Sequence, residues 1–578
     1  MQNQVIYTEK NNCQDCYKCV KQCPVKCIKI EDNSASVINK LCLYCGRCIL
    51  SCPVKAKKYR KEIQKVQWMV DSGERVIASV APSYLADFGN ITPQQFMLAL
   101  EKLGFHAVSE TGSAAEIVAQ ESLKWLQEQP NGVYFSTCCP AVVNYIGIYA
   151  PDLLPGMVPV VSPMVAHARQ IKDTFGKEVK VVFIGPCIAK KQESDQMTDA
   201  VDAVLTFHEL QEWMDDEQIN PSSLTGNLKD NFLFGLAGKG NLFPVDGGMI
   251  SNMKNDVSIT EVSFMTFSGM NNIREIVNDI PGWENNGKLF LELMACEGGC
   301  IKGPGSVSKR GIVSKRSKLV SGYQTLKDLK LESSVLTTGA TNYNRQFENF
   351  QQAISCVHSE EEVQALLNSM GKLSEKEELN CSGCGYDNCR EFTRALLDGK
   401  AERTMCISYM RHVAQDKASV LLRKIPYGVV MVDEHLKLLD CNQKFAEMLG
   451  PDISLIFESN PGMAGADLKK LVPYHKLFTN LLQSGEEIVE QDIRDQGNYL
   501  HVSVISIQKY KLAYGIIQNL REPEIHKEIM VQRIREVLKQ NMESVQRIAY
   551  LLGENASFTE SMLNTIVESS PTNEGSSK

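Results

Sequence analysis

Glu292-Leu-Met-Ala-Cys-Glu-Gly-Gly-Cys-Ile-Lys-Gly-Pro-Gly305 is the stretch on which the reading of this chain turns. It continues Lys288-Leu-Phe-Leu, a short apolar run with the pattern of a buried strand. The strand stops, and Cys296 and Cys300 appear in a loop where Gly298, Gly299, Gly303 and Gly305 let backbone crowd against something bulky. These thiols alone cannot hold a 4Fe–4S cubane, which takes four thiolates. Two similar strand-to-loop junctions offer partners: Gly132-Val-Tyr-Phe-Ser-Thr-Cys-Cys-Pro140 and Val179-Lys-Val-Val-Phe-Ile-Gly-Pro-Cys-Ile-Ala-Lys-Lys-Gln-Glu193. A further run, Arg75-Val-Ile-Ala-Ser-Val-Ala-Pro-Ser83, ends without a thiol. In a parallel α/β sheet the carboxyl ends of strands converge on one crevice, so these distant motifs are expected to meet there.

Together they resemble the active-site signature of the FeFe-hydrogenases. The family patterns TSCCP, MPCxxKxxE and ExMACxxGCxxG stand here as Ser136–Pro140, Gly185–Glu193 and Glu292–Gly305, in order, within roughly residues 70–340. The resemblance implies an H-cluster: a cubane on Cys139, Cys187, Cys296 and Cys300, with Cys300 bridging to a two-iron unit that carries CO, cyanide and a dithiolate. It implies that Lys190 hydrogen-bonds one cyanide, that Ser83 contacts the other, and that Met294 packs at the cluster. Cys138 matches the cysteine that hands protons to the dithiolate and is not a ligand. Ala81, Pro82, Ser162, Pro163 and Pro186 match positions beside the cofactor. Lys191 fits a surface lysine, so the choice of Lys190 rests on spacing. Buried inert cysteines are the bland alternative, disfavoured by four strand-end thiols in such loops.

The resemblance breaks at the proton exit. Glu121 matches the family's first relay acid only loosely, and with Ser162-Pro163 aligned to the family's Ser-Pro, the relay serine position holds Val158, which cannot pass a proton. Gly185 replaces the methionine before Pro-Cys, and Met164 and Val165 replace a glutamine pair.

The remaining sequence supplies more iron–sulfur patterns. Cys13, Cys16, Cys19 and Cys23-Pro24 have the CxxCxxCxxxCP spacing of bacterial ferredoxins, repeated by Cys42, Cys45, Cys48 and Cys52-Pro53. The fourth cysteine of each run serves the other cluster, giving one site on Cys13, Cys16, Cys19 and Cys52 and another on Cys42, Cys45, Cys48 and Cys23. Zinc does not need eight cysteines at a repeated spacing. Cys27 is left over and expected to pack. Lys55 to Lys65 reads as a basic, helical connector, and helices are expected at Pro93–Leu103, Ala114–Gln127, Pro140–Ala150 and Ser162–Phe175. Cys381, Cys384, Cys389 and Cys406 resemble a small one-cluster 4Fe–4S domain, with structural zinc as the alternative. Ile425–Asp433 and Leu436–Asp440 read as a hairpin, Cys441–Gly450 as a helix, and Glu487–Ile493, Tyr499–Ile507 and Ala513–Gln518 as strands, which resembles a PAS sensor domain with its Asn442 and Phe445 after the second strand. Cys441 is a thiol of this region, a possible ligand but more simply half-buried. Ile534, Leu538, Asn541, Val545, Ile548 and Leu552 space a coiled-coil seam that favours a parallel homodimer.

The expected fold class is α/β: a FeFe-hydrogenase-like parallel α/β domain (70–345) with an N-terminal ferredoxin-like module (1–60), a small 4Fe–4S domain (372–410), a PAS domain (420–522), a C-terminal helix (523–568) and a disordered tail (569–578). A net charge of −8 over 578 residues argues against nucleic-acid binding, and no apolar run is long enough to span a membrane. The N-terminus has no basic-plus-apolar leader, so the expected location is cytoplasmic, where 20 cysteines signify metal or redox chemistry rather than disulfides.

Retained ligands, an altered relay and a PAS domain resemble the sensory branch of the FeFe-hydrogenases. The first hypothesis is a slow, reversible hydrogenase that reads H2 or redox state through the 381–406 cluster and PAS to a separate effector, a kinase or phosphatase, since no such motif lies in the chain. The alternatives are a catalytic hydrogenase linked to a redox partner such as ferredoxin, and a non-enzymatic iron–sulfur protein lacking the two-iron unit.

Overall fold

The computed structural model describes residues 4–225, 237–254, 262–280, 287–328, 341–347, 358–413, 425–495 and 497–520, with Arg535, Leu538, Lys539 and Met542. It divides into two compact units, Met1–Glu402 and Arg403–Lys578, each taken by itself.

The cysteine repeat at the N-terminus folds as two interlocked halves. Its strands are β1 (Ile6–Thr8), β2 (Ile28–Glu31), β3 (Ser34–Val37) and β4 (Lys57–Tyr59). β1 pairs antiparallel with β4, and β2 with β3, so each ladder joins one half to the other. Left-handed backbone recurs at the interval that separates Cys13 from Cys42: Asp15 and Tyr44, Tyr17 and Gly46, Lys26 and Lys55. These turns aim amides at sulfur. Cys27 N lies 3.4 Å from Cys23 Sγ, and Ala56 N lies 3.2 Å from Cys52 Sγ. Cys27 therefore holds the place that alanine holds in the second half, as a packing residue would. The connector expected to be helical over 55–65 is instead β4 followed by a helix from Ile63. The strand wins because β1 needs a partner, and the Lys57 amine turns inward to Ala35 O (2.9 Å) and Thr8 Oγ1 (2.6 Å).

The central region alternates helices with β5 (Val76–Val80), β6 (Ala107–Glu110), β7 (Gly132–Phe135), β8 (Lys180–Gly185), β9 (Ala203–Thr206), β10 (Val262–Ser268) and β11 (Lys288–Met294). Every pairing is parallel. One shared sheet was the simplest expectation, but the strands form two: β6-β5-β8-β9 and β10-β11-β7. Strands buried on both faces need helical cover, and the helices run Pro93–Lys102, Gly112–Glu128, Pro140–Tyr149 and Pro163–Phe175, within two residues of expectation. Pro140 and Pro163 open their helices, where a missing N–H costs nothing.

A buried carboxylate stitches the N-terminal module to this core. Glu209 accepts from Glu62 N (2.7 Å), Thr206 N (2.8 Å) and Thr206 Oγ1 (2.9 Å). Lys191, fully buried, pairs with it at 3.0 Å. Lys191 is thus a structural cation and not a surface lysine.

In the second unit, β12 (Gly428–Asp433), β13 (Leu438–Cys441), β14 (Ile488–Asp495), β15 (Asn498–Gln508) and β16 (Leu512–Asn519) form an antiparallel sheet in the order β13-β12-β16-β15-β14. Asn442 caps the helix Gln443–Met448 through Phe445 N (2.9 Å) and ties it to β12 through Val429 N (2.8 Å). Cys441 is buried, and burial followed by Asp440 pushes its thiol up to about 12, so it packs as a neutral group. The coiled-coil seam and the tail lie almost wholly outside the described residues. Among the described residues no helix is long and apolar enough to cross a membrane.

Lys191→Met leaves Glu209 charged in a dry site. It is expected to destabilise the first unit by about 3–5 kcal/mol, read as a lowered denaturation midpoint, with Glu209→Gln restoring part of the loss.

Candidate active site

The carboxyl ends of β5, β7, β8 and β11 open onto one cavity of about 110 Å³. Cys138, Cys139, Cys187 and Cys300 line it, with Lys190, Ser83 and Met294. Cys296 stands behind them, within electrostatic reach of Cys139, Cys187 and Cys300. The structure thus brings together the four thiols from three distant loops. Ala81, Pro82, Pro163 and Pro186 form apolar wall beside Phe183 and Met164.

Each loop is fixed by a local device. Cys139 caps the helix that Pro140 opens, so the positive helix end faces the cavity. The loop after Cys300 hangs on Asp87, which accepts from Ser306 Oγ (2.5 Å), Val307 N (3.1 Å) and the buried Lys315 amine (2.9 Å). The glycines of this loop do crowd something, but it is protein. A side chain at Gly303 would stand 2.6 Å from Pro186 O, and one at Gly299 would collide with Pro244 O.

Charge beside the cavity is arranged around Glu193. It accepts from Lys190 (2.7 Å), Arg345 (2.8 Å) and Ser162 Oγ (2.9 Å). Burial alone would raise its carboxyl; Lys190 and Arg345 outweigh that and hold it below the ordinary range. Lys190 also donates to Cys138 O at 3.4 Å. An ammonium has three donors, so one remains for a group in the cavity. Burial pushes the Cys187 thiol up to about 11 and those of Cys296 and Cys300 higher, with neighbouring cysteines adding to the rise. Thiols so placed become thiolates only when a cation compensates them.

Whether an H-cluster fits can be asked of the polar atoms. Ser83 Oγ is buried, lines the cavity and has no hydrogen-bond partner among the described residues. An anionic ligand there would satisfy it. Among the described residues no three His, Cys, Asp or Glu side chains gather as ligands of a single metal ion. A cubane spreads its thiolates over four irons, and the cysteine set suits that geometry.

Sequence reasoning passed over Glu292 as a chemical group. It is 4% exposed, lines the cavity and accepts from Met249 N (3.1 Å) and Ile250 N (3.2 Å). Burial first, then Asp246, raise its carboxyl to about 7 against the two amides. Met249 was also missed; its Sδ lies 3.7 Å from Cys138 Sγ. No local pattern marks it, since it follows a glycine pair far from any cysteine motif. Glu121 lies on the helix Gly112–Glu128 away from the cavity wall, and Val158 is buried core. The space opened by Gly185 is taken by Phe183, whose ring would stand 2.8 Å from an added Cβ.

Cys23, Cys42, Cys45 and Cys48 line one small cavity, while Cys13, Cys16 and Cys52 act on Cys19. Further on, Cys381 and Cys384 lie on a loop with left-handed Asn380, Ser382 and Gly385, and Cys389 opens the helix Cys389–Leu397 that follows. Lys372 Nζ reaches Cys389 Sγ at 3.3 Å. Cys406 belongs to the second unit.

Comparison with known proteins points to the same family as the sequence motifs. Residues 74–304 match the family model of the iron only hydrogenase large subunit, C-terminal domain; residues 377–408 match an Fe–S cluster family and 419–491 a PAS domain. Residues 74–304 are therefore an FeFe-hydrogenase family domain, in a chain that also carries an iron–sulfur segment and a PAS domain. Iron hydrogenase 1 of Clostridium pasteurianum is 25% identical over 302 residues, which is 43% of this chain and 52% of that protein. The match thus spans about half the length of that relative. The periplasmic Fe hydrogenase large subunit of Nitratidesulfovibrio vulgaris is 26% identical over 45% of this chain and 74% of its own. A solved variant of FeFe-hydrogenase HydA1 from Chlamydomonas reinhardtii is 19% identical over 50% of this chain and 100% of its own, with a TM-score of 0.38.

Because the folded carboxyl of Glu292 is raised to about 7, it favours folding fully below its ordinary range near 4.5, and that contribution is lost as pH rises through about 7. A protonated-carboxyl infrared band is expected to titrate away with that midpoint and to be missing in Glu292→Gln.

Proposed function

We propose that this chain is an H2-sensing FeFe-hydrogenase that turns H2 over slowly and reversibly and passes its state through iron–sulfur clusters and PAS to a separate effector. The cavity carries the reading: four thiols, an ammonium with a spare donor and an orphaned serine hydroxyl face one apolar space. Cys139, Cys187, Cys296 and Cys300 would hold the cubane of an H-cluster. Lys190 and Ser83 would bind the cyanides of its two-iron unit, and Met294, Pro82, Pro163 and Pro186 would exclude water. When bound, that group supplies the low-valent metal and the nearby base that H2 splitting needs. The chain's own task is then to move protons. Cys138 Sγ, kept protonated by burial despite Lys190, is placed to exchange a proton with the cavity. Glu292, with a carboxyl near 7, can take or give a proton at neutral pH, and Asp246 stands beyond it. This exit replaces the relay that Val158 interrupts.

In the same reading, three further 4Fe–4S clusters sit on the two ferredoxin-like sets and on Cys381, Cys384, Cys389 and Cys406. The redox partner is a ferredoxin-like carrier, the effector a kinase or phosphatase, the assembly a homodimer through the C-terminal helix, and the location an anaerobic cytoplasm.

Maturated protein is expected to show infrared bands of metal-bound CO and cyanide that change on H2 titration. Their absence would leave only a non-enzymatic iron–sulfur protein, and rapid H2 production would count against sensing. Glu292→Gln is expected to lower hydrogen–deuterium exchange at least tenfold while keeping those bands, about 1.4 kcal/mol or more per tenfold in barrier.

A further inference from the structure

The ferredoxin-like site on Cys23, Cys42, Cys45 and Cys48 touches two other loops. On one side it meets the active-site loop. Cys45 is within electrostatic reach of Cys296, Arg47 pairs with Glu297 at 2.7 Å, and a side chain at Gly46 would stand 2.6 Å from Pro304. On another side it meets the 381–389 loop. Lys26 Nζ donates to Gly385 O (2.8 Å) and to Lys21 O (3.1 Å), binding that loop to the turn that follows Cys23. An added Cβ at Gly385 would stand 3.0 Å from Val20, so only glycine lets the two backbones approach. Cys23 and Asp387 border one solvent pocket.

Tyr386 fills the gap between these loops. It is 3% exposed, its ring packs on Phe392 at 5.7 Å, and the Lys26 ammonium stands over it at 5.9 Å. Its hydroxyl is buried with no hydrogen-bond partner among the described residues.

We propose that the Cys23/Cys42/Cys45/Cys48 site is a three-way electron junction, joined to the 381–389 loop across Tyr386, with the Cys13/Cys16/Cys19/Cys52 site as a side branch. The proposal rests on the cluster assignments above and deepens them by fixing the order of transfer. Oxidation of H2 releases two protons and two electrons. Each electron passes singly, so that one cubane is reduced as its neighbour is reoxidised. From the junction an electron has two courses: outward through the side branch to an external carrier, or inward across Tyr386 toward the 381–389 loop. Tyr386 is a positioning residue in this scheme; it bridges the gap and is not itself oxidised.

The test uses the full chain reduced with dithionite, so that it reads whether or not a two-iron unit is loaded. Pulsed EPR gives the spin relaxation of the 381–389 cluster. Cys45→Ser is expected to slow that relaxation several-fold, while Cys16→Ser leaves it within twofold. Freeze-quench EPR after rapid mixing follows the reduction of that cluster. Tyr386→Ala is expected to slow it at least tenfold, and Tyr386→Phe to keep it within twofold, each at unchanged iron content. Dependence on Cys16 instead of Cys45, equal rates for Tyr386→Ala and the parent, or no third cluster signal overturns the junction. The CO and cyanide bands report separately on the hydrogenase reading, which fails without them whatever the EPR result.

Discussion

Burial of sulfur is the constraint on which the rest of this molecule depends. Cys187, Cys296 and Cys300 lie at the ends of strands that are themselves buried, and there a thiol holds its proton far above neutrality. Such a set is at rest only when empty of charge or when a metal compensates it. Two parallel sheets, each closed by helices, hold the loops so that the sulfurs need not search for one another. The same dryness shapes the neighbours: it raises Glu292, forces Glu193 to take both Lys190 and Arg345, and leaves Ser83 without a partner.

Glu193 shows how few atoms join the site to its frame. One carboxylate orients the lysine that faces the cavity, accepts from Ser162 at the mouth of a helix, and fixes Arg345 from a segment more than a hundred residues on. Asp87 performs the matching task for the loop after Cys300. Both are buried anions with several charged or amide donors, the condition under which a buried charge is tolerated.

Much of this was legible in the residues, for reasons that differ from place to place. Strands β5, β7, β8 and β11 announced themselves as short apolar runs, and Pro140 and Pro163 marked helix starts to within a residue. Cysteine spacing carried the metal chemistry because a cubane imposes its geometry on few residues close in sequence. What was not legible depends on distance. The split into two sheets is a matter of pairing, which apolar runs do not encode. The inward turn of Lys57 and the burial of Lys191 defied composition, since each cation is satisfied by a partner that only the fold supplies. Glu292 was visible as a motif letter, but its acidity comes from burial and from Asp246, neither of which is written beside it. The PAS-like sheet was read from strand order, whereas the bonds by which Asn442 caps its helix and holds Val429 and Tyr427 were not.

The crossed ladders of the N-terminal module have a consequence for turnover in the cell. Since β1 is completed by β4 and β2 by β3, neither half keeps a strand partner once the other lets go. The module is therefore kept or lost as a whole. A protease would then find both halves of the first sixty residues opened together.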